Sequence, residues 1–160
     1  MFNINRNIKE WDKIMKNEDI KKYMEVIYDF WYTSNRFYYL WAKQYGITDL
    51  ALFSLFIIYN SKECVQNTIT EKLSVPKQTV CSILENFEKK GYIKKKINPK
   101  DKRNRLISLT KKGITFAEPI LKELEKLDME MLKCLTEDEI KNYVEPQKKL
   151  MTFMENYFNN

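Results

Sequence analysis

The side chains able to do covalent or metal chemistry are few in this sequence, and their spacing argues against catalysis. No histidine occurs, which removes the commonest general base and the commonest neutral metal ligand. No Ser–His–Asp or Cys–His site can be written, and a zinc-dependent hydrolase lacks its usual ligands. Cys64, Cys81 and Cys134 are odd in number and widely separated, with no C-x-x-C pair, so neither a disulfide framework nor a zinc ribbon follows. The glycines Gly46, Gly91 and Gly113 cannot spell a phosphate loop or a dinucleotide fingerprint. No cofactor and no metal site is expected, and an enzyme is the weakest class.

Charge is the stronger signal. The net charge is +6, but Lys72 to Lys112 alone hold thirteen basic and three acidic residues. A quarter of the chain therefore carries more than the whole positive excess, which is the electrostatic footprint of a polyanion binder. Any such function needs elements that hold these cations on one face.

Those elements are mostly helices. A chain of 160 residues, 44% hydrophobic and with only three glycines and four prolines, fits one domain with a real core and few tight turns. Ile20, Tyr23, Met24, Ile27, Phe30, Trp31, Ser34, Phe37, Tyr38 and Trp41 recur at three- and four-residue steps, a long helix that Gly46 stops. Trp11, Ile14 and Met15 form a further apolar turn ahead of it. Asp49–Asn60 reads as a helix apolar on nearly every side, hence buried. A short helix covers Gln66–Leu73, and Pro76 opens the next, with Val80, Ile83, Leu84 and Phe87 as its stripe and Gly91 as its stop.

The period then changes to two. Tyr92–Ile97 and Arg105–Leu109 are β-prone, and Asn98–Asn104 between them is polar and basic, which makes a hairpin with a long tip. Thr110 caps a helix whose stripe is Phe116, Ile120, Leu124, Leu127 and Met131, with Pro119 bending it near its start. Thr136 and Glu139 have capping-box spacing and open a last helix. Its apolar side is Ile140, Tyr143, Val144, Leu150, Met151, Met154 and Phe158, with a kink at Pro146. The start of the chain has no apolar signal region, and the longest apolar run is about half of the ~20 residues a spanning helix needs. A soluble, cytoplasmic protein without membrane contact is expected.

The expected fold class is mainly α, a winged helix-turn-helix with a two-stranded β-hairpin wing and long N- and C-terminal helices. The second helix of such a pair enters the DNA major groove, and a basic hairpin tip reaches the adjacent minor groove. With Val80 buried, Gln78, Ser82 and Lys89 face outward, flanked by Cys81, Glu85 and Asn86, while Lys77 and Thr79 occupy the first turn. Lys77, Gln78, Thr79, Cys81 and Ser82 are the candidate major-groove residues. Lys100, Lys102, Arg103 and Arg105 are the candidate wing contacts, and Asp101 can orient the Arg103 guanidinium.

Two blocks of sequence are more specific than this. Leu73-Ser74-Val75-Pro76-Lys77-Gln78-Thr79-Val80, with Leu84 and Phe87-Glu88-Lys89-Lys90-Gly91-Tyr92-Ile93, resembles the recognition-helix region of the multiple antibiotic resistance regulator (MarR) family. Asp101-Lys102-Arg103, followed by Ile107-Ser108-Leu109-Thr110-Lys111-Lys112-Gly113, is similar to that family's D-x-R…L-T-x-x-G signature. The resemblance covers roughly residues 20–157. It implies one domain over 1–160, with a DNA-binding lobe at about 47–110 and dimerisation helices at about 7–43 and 111–158. It also implies an obligate homodimer on pseudo-palindromic double-stranded operators, usually a repressor, with Arg103 directed at the minor groove and Asp101 fixing the wing. The departures are Ser82 and Asn86, where the family often carries basic residues, Ser74 at a glycine position, and Val65 at a Ser/Thr cap.

The resemblance further implies release from DNA by a small aromatic anion, for which Phe30, Ser34, Tyr38 and Phe53 are the candidate ligand residues. Ordinary core packing is the competing account of those four. Oxidation of Cys81 would obstruct DNA by added bulk. The rival from another class is a helical dimer that binds an acidic protein partner and no DNA.

Overall fold

The computed structural model describes residues 16–157. The elements in chain order are α1 (Asn17–Gln44), α2 (Asp49–Asn60), α3 (Gln66–Leu73), α4 (Lys77–Lys89), β1 (Ile93–Ile97), β2 (Arg105–Leu109), α5 (Lys111–Leu132) and α6 (Glu137–Tyr157). Thr33–Glu125 forms one compact unit, and the flanking segments contribute to a second. The apolar turn expected at Trp11, Ile14 and Met15, and Phe158 at the end of the last stripe, lie outside the described residues.

In the Thr33–Glu125 unit the core is α2 packed with α3, α4 and the hairpin. Leu52, Leu55, Ile58, Ile69, Val80, Leu84, Phe87, Ile93 and Ile107 are all buried. Thr48 caps α2 by accepting the Ala51 amide at 3.1 Å. The sequence reading of α2 as apolar and buried all round needs one correction: Phe56 is 49% exposed, because the neighbouring elements cover only part of its circumference.

Helix ends follow local rules. Both α1 and α4 close in Schellman motifs with a left-handed glycine. Gly46 (φ 67°) donates to Lys43 O and Ile47 to Ala42 O. Gly91 (φ 71°) donates to Glu88 O and Tyr92 to Phe87 O, with the Phe87 and Tyr92 rings 6.4 Å apart as the accompanying apolar contact. Pro76 is the N-cap of α4 and not its first helical residue. The break between α3 and α4 falls on Ser74, whose φ of 50° is left-handed. A Cβ there costs about 1–2 kcal/mol relative to glycine, partly offset by the ~0.5–1 kcal/mol that glycine loses in chain entropy. Ser74→Gly is therefore expected to raise the thermal midpoint slightly, by about 2 °C, in a calorimetric melt. A lower midpoint would mean that Ser74 contributes something other than a strained turn.

The wing is an antiparallel pair in the register Ile93↔Leu109, Lys95↔Ile107, Ile97↔Arg105. A further rung comes from the α2–α3 connection, where the Ile107 amide donates to Cys64 O at 2.7 Å. Helix α5 starts at the base of the wing. Thr110 Oγ1 donates to Gly91 O at 2.6 Å and accepts the Gly113 amide at 3.0 Å, so it caps α5 and ties the helix to the wing base. Both α5 and α6 run on through their prolines, Pro119 and Pro146.

In the flanking unit, α6 opens with the expected capping box. Glu139 accepts the Thr136 amide at 2.8 Å, and the Glu139 amide donates to Thr136 Oγ1 at 3.3 Å. The Phe30 and Tyr143 rings meet edge-on at 6.3 Å. Beyond that contact, the apolar side read for α6 is largely uncovered among the described residues: none of them is buried, and Leu150, Met151 and Met154 are exposed. Met131, at the end of the α5 stripe, is exposed as well.

Candidate nucleic-acid interface

Helix α4 turns Val80, Leu84 and Phe87 into the core. That leaves Lys77, Gln78, Ser82, Glu85, Asn86 and Lys89 exposed, with Thr79 and Cys81 half-buried, as the amphipathic spacing required. Two of the expected groove-facing groups are engaged locally. Ser82 Oγ donates to Gln78 O at 3.1 Å, and Cys81 Sγ donates to the Glu85 carboxylate at 3.2 Å. That hydrogen bond is the main reason the Cys81 thiol is held above its ordinary pKa, while Lys95 and Lys77 pull the other way. Cys64 is pushed up to about 11 by burial. Thiols kept protonated are poor nucleophiles toward oxidants, so the oxidation route considered for Cys81 gains no support.

At the wing tip Lys100, Asp101, Lys102 and Arg103 are exposed. Asp101 is the organiser, but not in the expected way. Its carboxylate accepts the Arg103 backbone amide at 3.0 Å and the Asn104 side-chain amide at 2.7 Å. It thus fixes the turn and leaves the guanidinium to point elsewhere, because an Asx-type turn is the shorter reach for an Asp two residues ahead. Asn98 adds a second such turn by accepting the Lys100 amide at 2.9 Å. Lys100 is also not simply a displayed cation: its Nζ lies 2.9 Å from Glu63 in the α2–α3 connection. At this exposure the pair contributes little energy, but it orients the tip.

The fold brings part of the predicted set together. Lys77 from the start of α4, and Arg103 and Arg105 from the wing, line one concave notch of about 200 Å³. Lys95, Gln66, Asn67 and Asn104 complete its polar wall, and sequence reasoning missed all four as site residues. Gln66 Nε2 donates to Lys77 O at 3.0 Å, bracing the starts of α3 and α4 against each other. Glu63 and the Glu88–Lys95 pair at 2.8 Å were also missed, since a pairing between distant elements leaves no local signal.

The four candidate ligand residues divide between the units. Tyr38 and Phe53 pack edge-to-face at 5.3 Å, whereas Phe30 meets Tyr143 and Ser34 is half-buried. A groove of about 450 Å³, which the sequence did not flag, runs between the α2 start and α4, with Ile47, Ala51, Ile83 and Phe87 along it and Lys43 and Lys90 beside them.

A helix pair joined by a three-residue turn, followed by a two-stranded hairpin with a basic tip, defines a winged helix-turn-helix protein. Residues 45–104 match the model of the MarR family. Over 94 residues the chain is 30% identical to the uncharacterized HTH-type transcriptional regulator YdgJ of Bacillus subtilis, a match covering 59% of this chain and 57% of that protein. Against the HTH-type transcriptional regulator SarZ of Staphylococcus haemolyticus it is 27% identical over 115 residues, 72% of this chain and 76% of the relative. Among solved structures, S. aureus MepR in complex with DNA superposes with a TM-score of 0.69 at 22% identity, covering 82% of this chain and 97% of that one. Over residues 45–104 the chain thus resembles the MarR family, and it spans little more than half the length of the first of these relatives. Among the described residues no helix is long and apolar enough to cross a membrane.

Proposed function

We propose that this chain is a sequence-specific, double-stranded-DNA-binding regulator that acts in the cytoplasm as a homodimeric repressor on pseudo-palindromic operators. The observation that carries the reading is the convergence of Lys77, Arg103 and Arg105 on one notch between the exposed end of α4 and the wing. Helix and wing then address one duplex together: Lys77, Gln78 and Thr79, flanked by Cys81 and Ser82, at the major groove, and Lys102 and Arg103 at the minor groove. Asp101 and Lys100 act by shaping the tip. MepR, whose structure was solved as a DNA complex, lends support through its shared fold.

The uncovered apolar residues of α1 and α6 support the homodimer. Tyr23, Ile27 and Trp31 lie on one such stripe, and Leu150, Met151 and Met154 on another, all exposed among the described residues. Apolar surface on this scale marks an association site. Release by a small aromatic anion fits the α2–α4 groove better than Tyr38 and Phe53, whose rings already satisfy each other.

The test of the DNA-binding face compares two exposed cations. Arg103→Ala is expected to weaken DNA binding by about tenfold, in line with the ~1–3 kcal/mol of a well-placed arginine contact. Lys122→Ala on α5, where the lysine pairs with Glu118 at 2.6 Å, is expected to leave it unchanged. Equal affinities for the two variants would remove the wing from the interface.

A further inference from the structure

Only Glu85, Glu88 and Asp101 are acidic in the basic stretch Lys72–Lys112. Two of these carboxylates are taken up locally. Glu88 pairs with Lys95 at 2.8 Å, and Asp101 accepts the Arg103 backbone amide and the Asn104 side-chain amide in the wing turn. Glu85 is different. It is exposed on α4 and enters no ion pair among the described residues, although Lys89 follows one turn later. The Cys81 thiol donates to Glu85 Oε1 at 3.2 Å. That neutral donor orients the carboxylate without cancelling its charge, and it uses one of about four acceptor sites.

The helix places Glu85 among the outward residues. With Val80, Leu84 and Phe87 turned inward, steps of about 100° per residue put Gln78, Glu85 and Lys89 together on the opposite side. From Gln78 to Glu85 the helix rises about 10 Å, roughly three base-pair steps of ~3.4 Å. The two side chains therefore reach different base pairs of one half-site. For mere attraction to a polyanion, a charged carboxylate at this place is a loss, since phosphates repel it.

Its chemistry names a target. A carboxylate accepts hydrogen bonds and donates none. In the major groove adenine sets its N6 donor beside an N7 acceptor, a pattern that suits an amide, whereas cytosine presents its N4 donor alone. Guanine and thymine offer acceptors there, which would leave a desolvated carboxylate without a partner.

We propose that Glu85 is a specificity-determining residue, which accepts the N4 amino group of one cytosine in each operator half-site and repels duplexes that lack it. The proposal rests on the DNA-binding reading above. It adds a residue that lowers non-specific affinity while it raises discrimination, which attractive contacts alone do not achieve.

Selection of binding sites from a pool of duplexes with a randomised core supplies the test. The full chain is compared with Glu85→Ala and Glu85→Gln, and thermal melts check that both variants fold. The unsubstituted protein is expected to prefer cytosine at one position of each half-site by about tenfold. Glu85→Ala loses that preference alone, keeps those at other positions, and binds a scrambled duplex about threefold more tightly. Glu85→Gln moves the preference at that position to adenine, because an amide matches N6 and N7 together. A solvated or merely helix-stabilising Glu85 would move no base preference. Identical enriched sequences for all three proteins would overturn the role of Glu85 and leave the DNA-binding reading standing. No enrichment by the unsubstituted protein would overturn that reading, and the role of Glu85 with it.

Discussion

Replacing Gly113 by alanine is expected to destabilise the protein by more than about 3 kcal/mol, lowering the thermal midpoint by roughly 10 °C. Gly113 is buried in the first turn of α5. A Cβ there would overlap the Tyr92 carbonyl oxygen and lie 2.8 Å from its carbon. The obstacle is backbone, so no flexible side chain can swing aside. Moving Tyr92 is also costly, because its carbonyl accepts the Thr110 amide at 2.9 Å and its ring stacks on Phe116 at 4.3 Å. Moving α5 instead would break the Thr110 cap, a loss of about 1 kcal/mol by itself. Gly46→Ala is the useful contrast: nothing lies within 4 Å of its added methyl, and only the left-handed φ of 67° is strained, for about 1–2 kcal/mol. Melts of both variants at one protein concentration check the order. A Gly113→Ala midpoint within about 2 °C of the unsubstituted protein would show that the wing base and α5 are not locked together as described.

The second large effect concerns association. Met154→Glu on α6 or Ile27→Glu on α1 places a carboxylate where the side chain is 62% or 57% exposed in the single chain. On a solvated face such a change is nearly neutral, within about 0.5 kcal/mol. In a dimer that covers these stripes, each carboxylate is buried without a partner, at about 3–5 kcal/mol. That weakens association by a factor on the order of a hundred to a few thousand. Sedimentation at micromolar concentration is expected to show a dimer for the unsubstituted chain and monomer for both variants, with DNA binding lost in parallel. Variants that sediment as the unsubstituted chain does would assign the apolar stripes another use.

How much of this was legible in the sequence depends on the range of the interaction. The helix ends at Gly46 and Gly91, the capping box at Thr136 and Glu139, and the Thr110 cap are local, and the residue types at fixed offsets announce them. The L-T-x-x-G spacing turns out to have a steric meaning: Thr110 caps α5, and Gly113 admits the Tyr92 carbonyl. The amphipathic stripe of α4 correctly placed Val80, Leu84 and Phe87 inside. Asp101 was recognised as a wing organiser, but its partner is the Arg103 amide and not its guanidinium, a choice of atoms that sequence does not encode.

What escaped was tertiary. Glu63 reaches Lys100 across 37 positions, and Cys64 joins the sheet through Ile107. No periodicity reports either. Lys95 was half-legible, since period two puts it on the same side of β1 as buried Ile93, yet the lysine run around it hid that parity. The uncovered stripes on α1 and α6 were visible as an excess of apolar residues, without any indication of which chain covers them.

The most direct test of the account is equilibrium binding of the full chain to the duplex immediately upstream of its own gene, by fluorescence anisotropy. A scrambled duplex of equal length is the control, and salt is varied from low to physiological. The account predicts tight, saturable binding to the native duplex that persists at physiological salt, at least about a thousandfold stronger than to the scramble. Weak binding of equal strength to both duplexes that salt abolishes, or no binding at all, would contradict it.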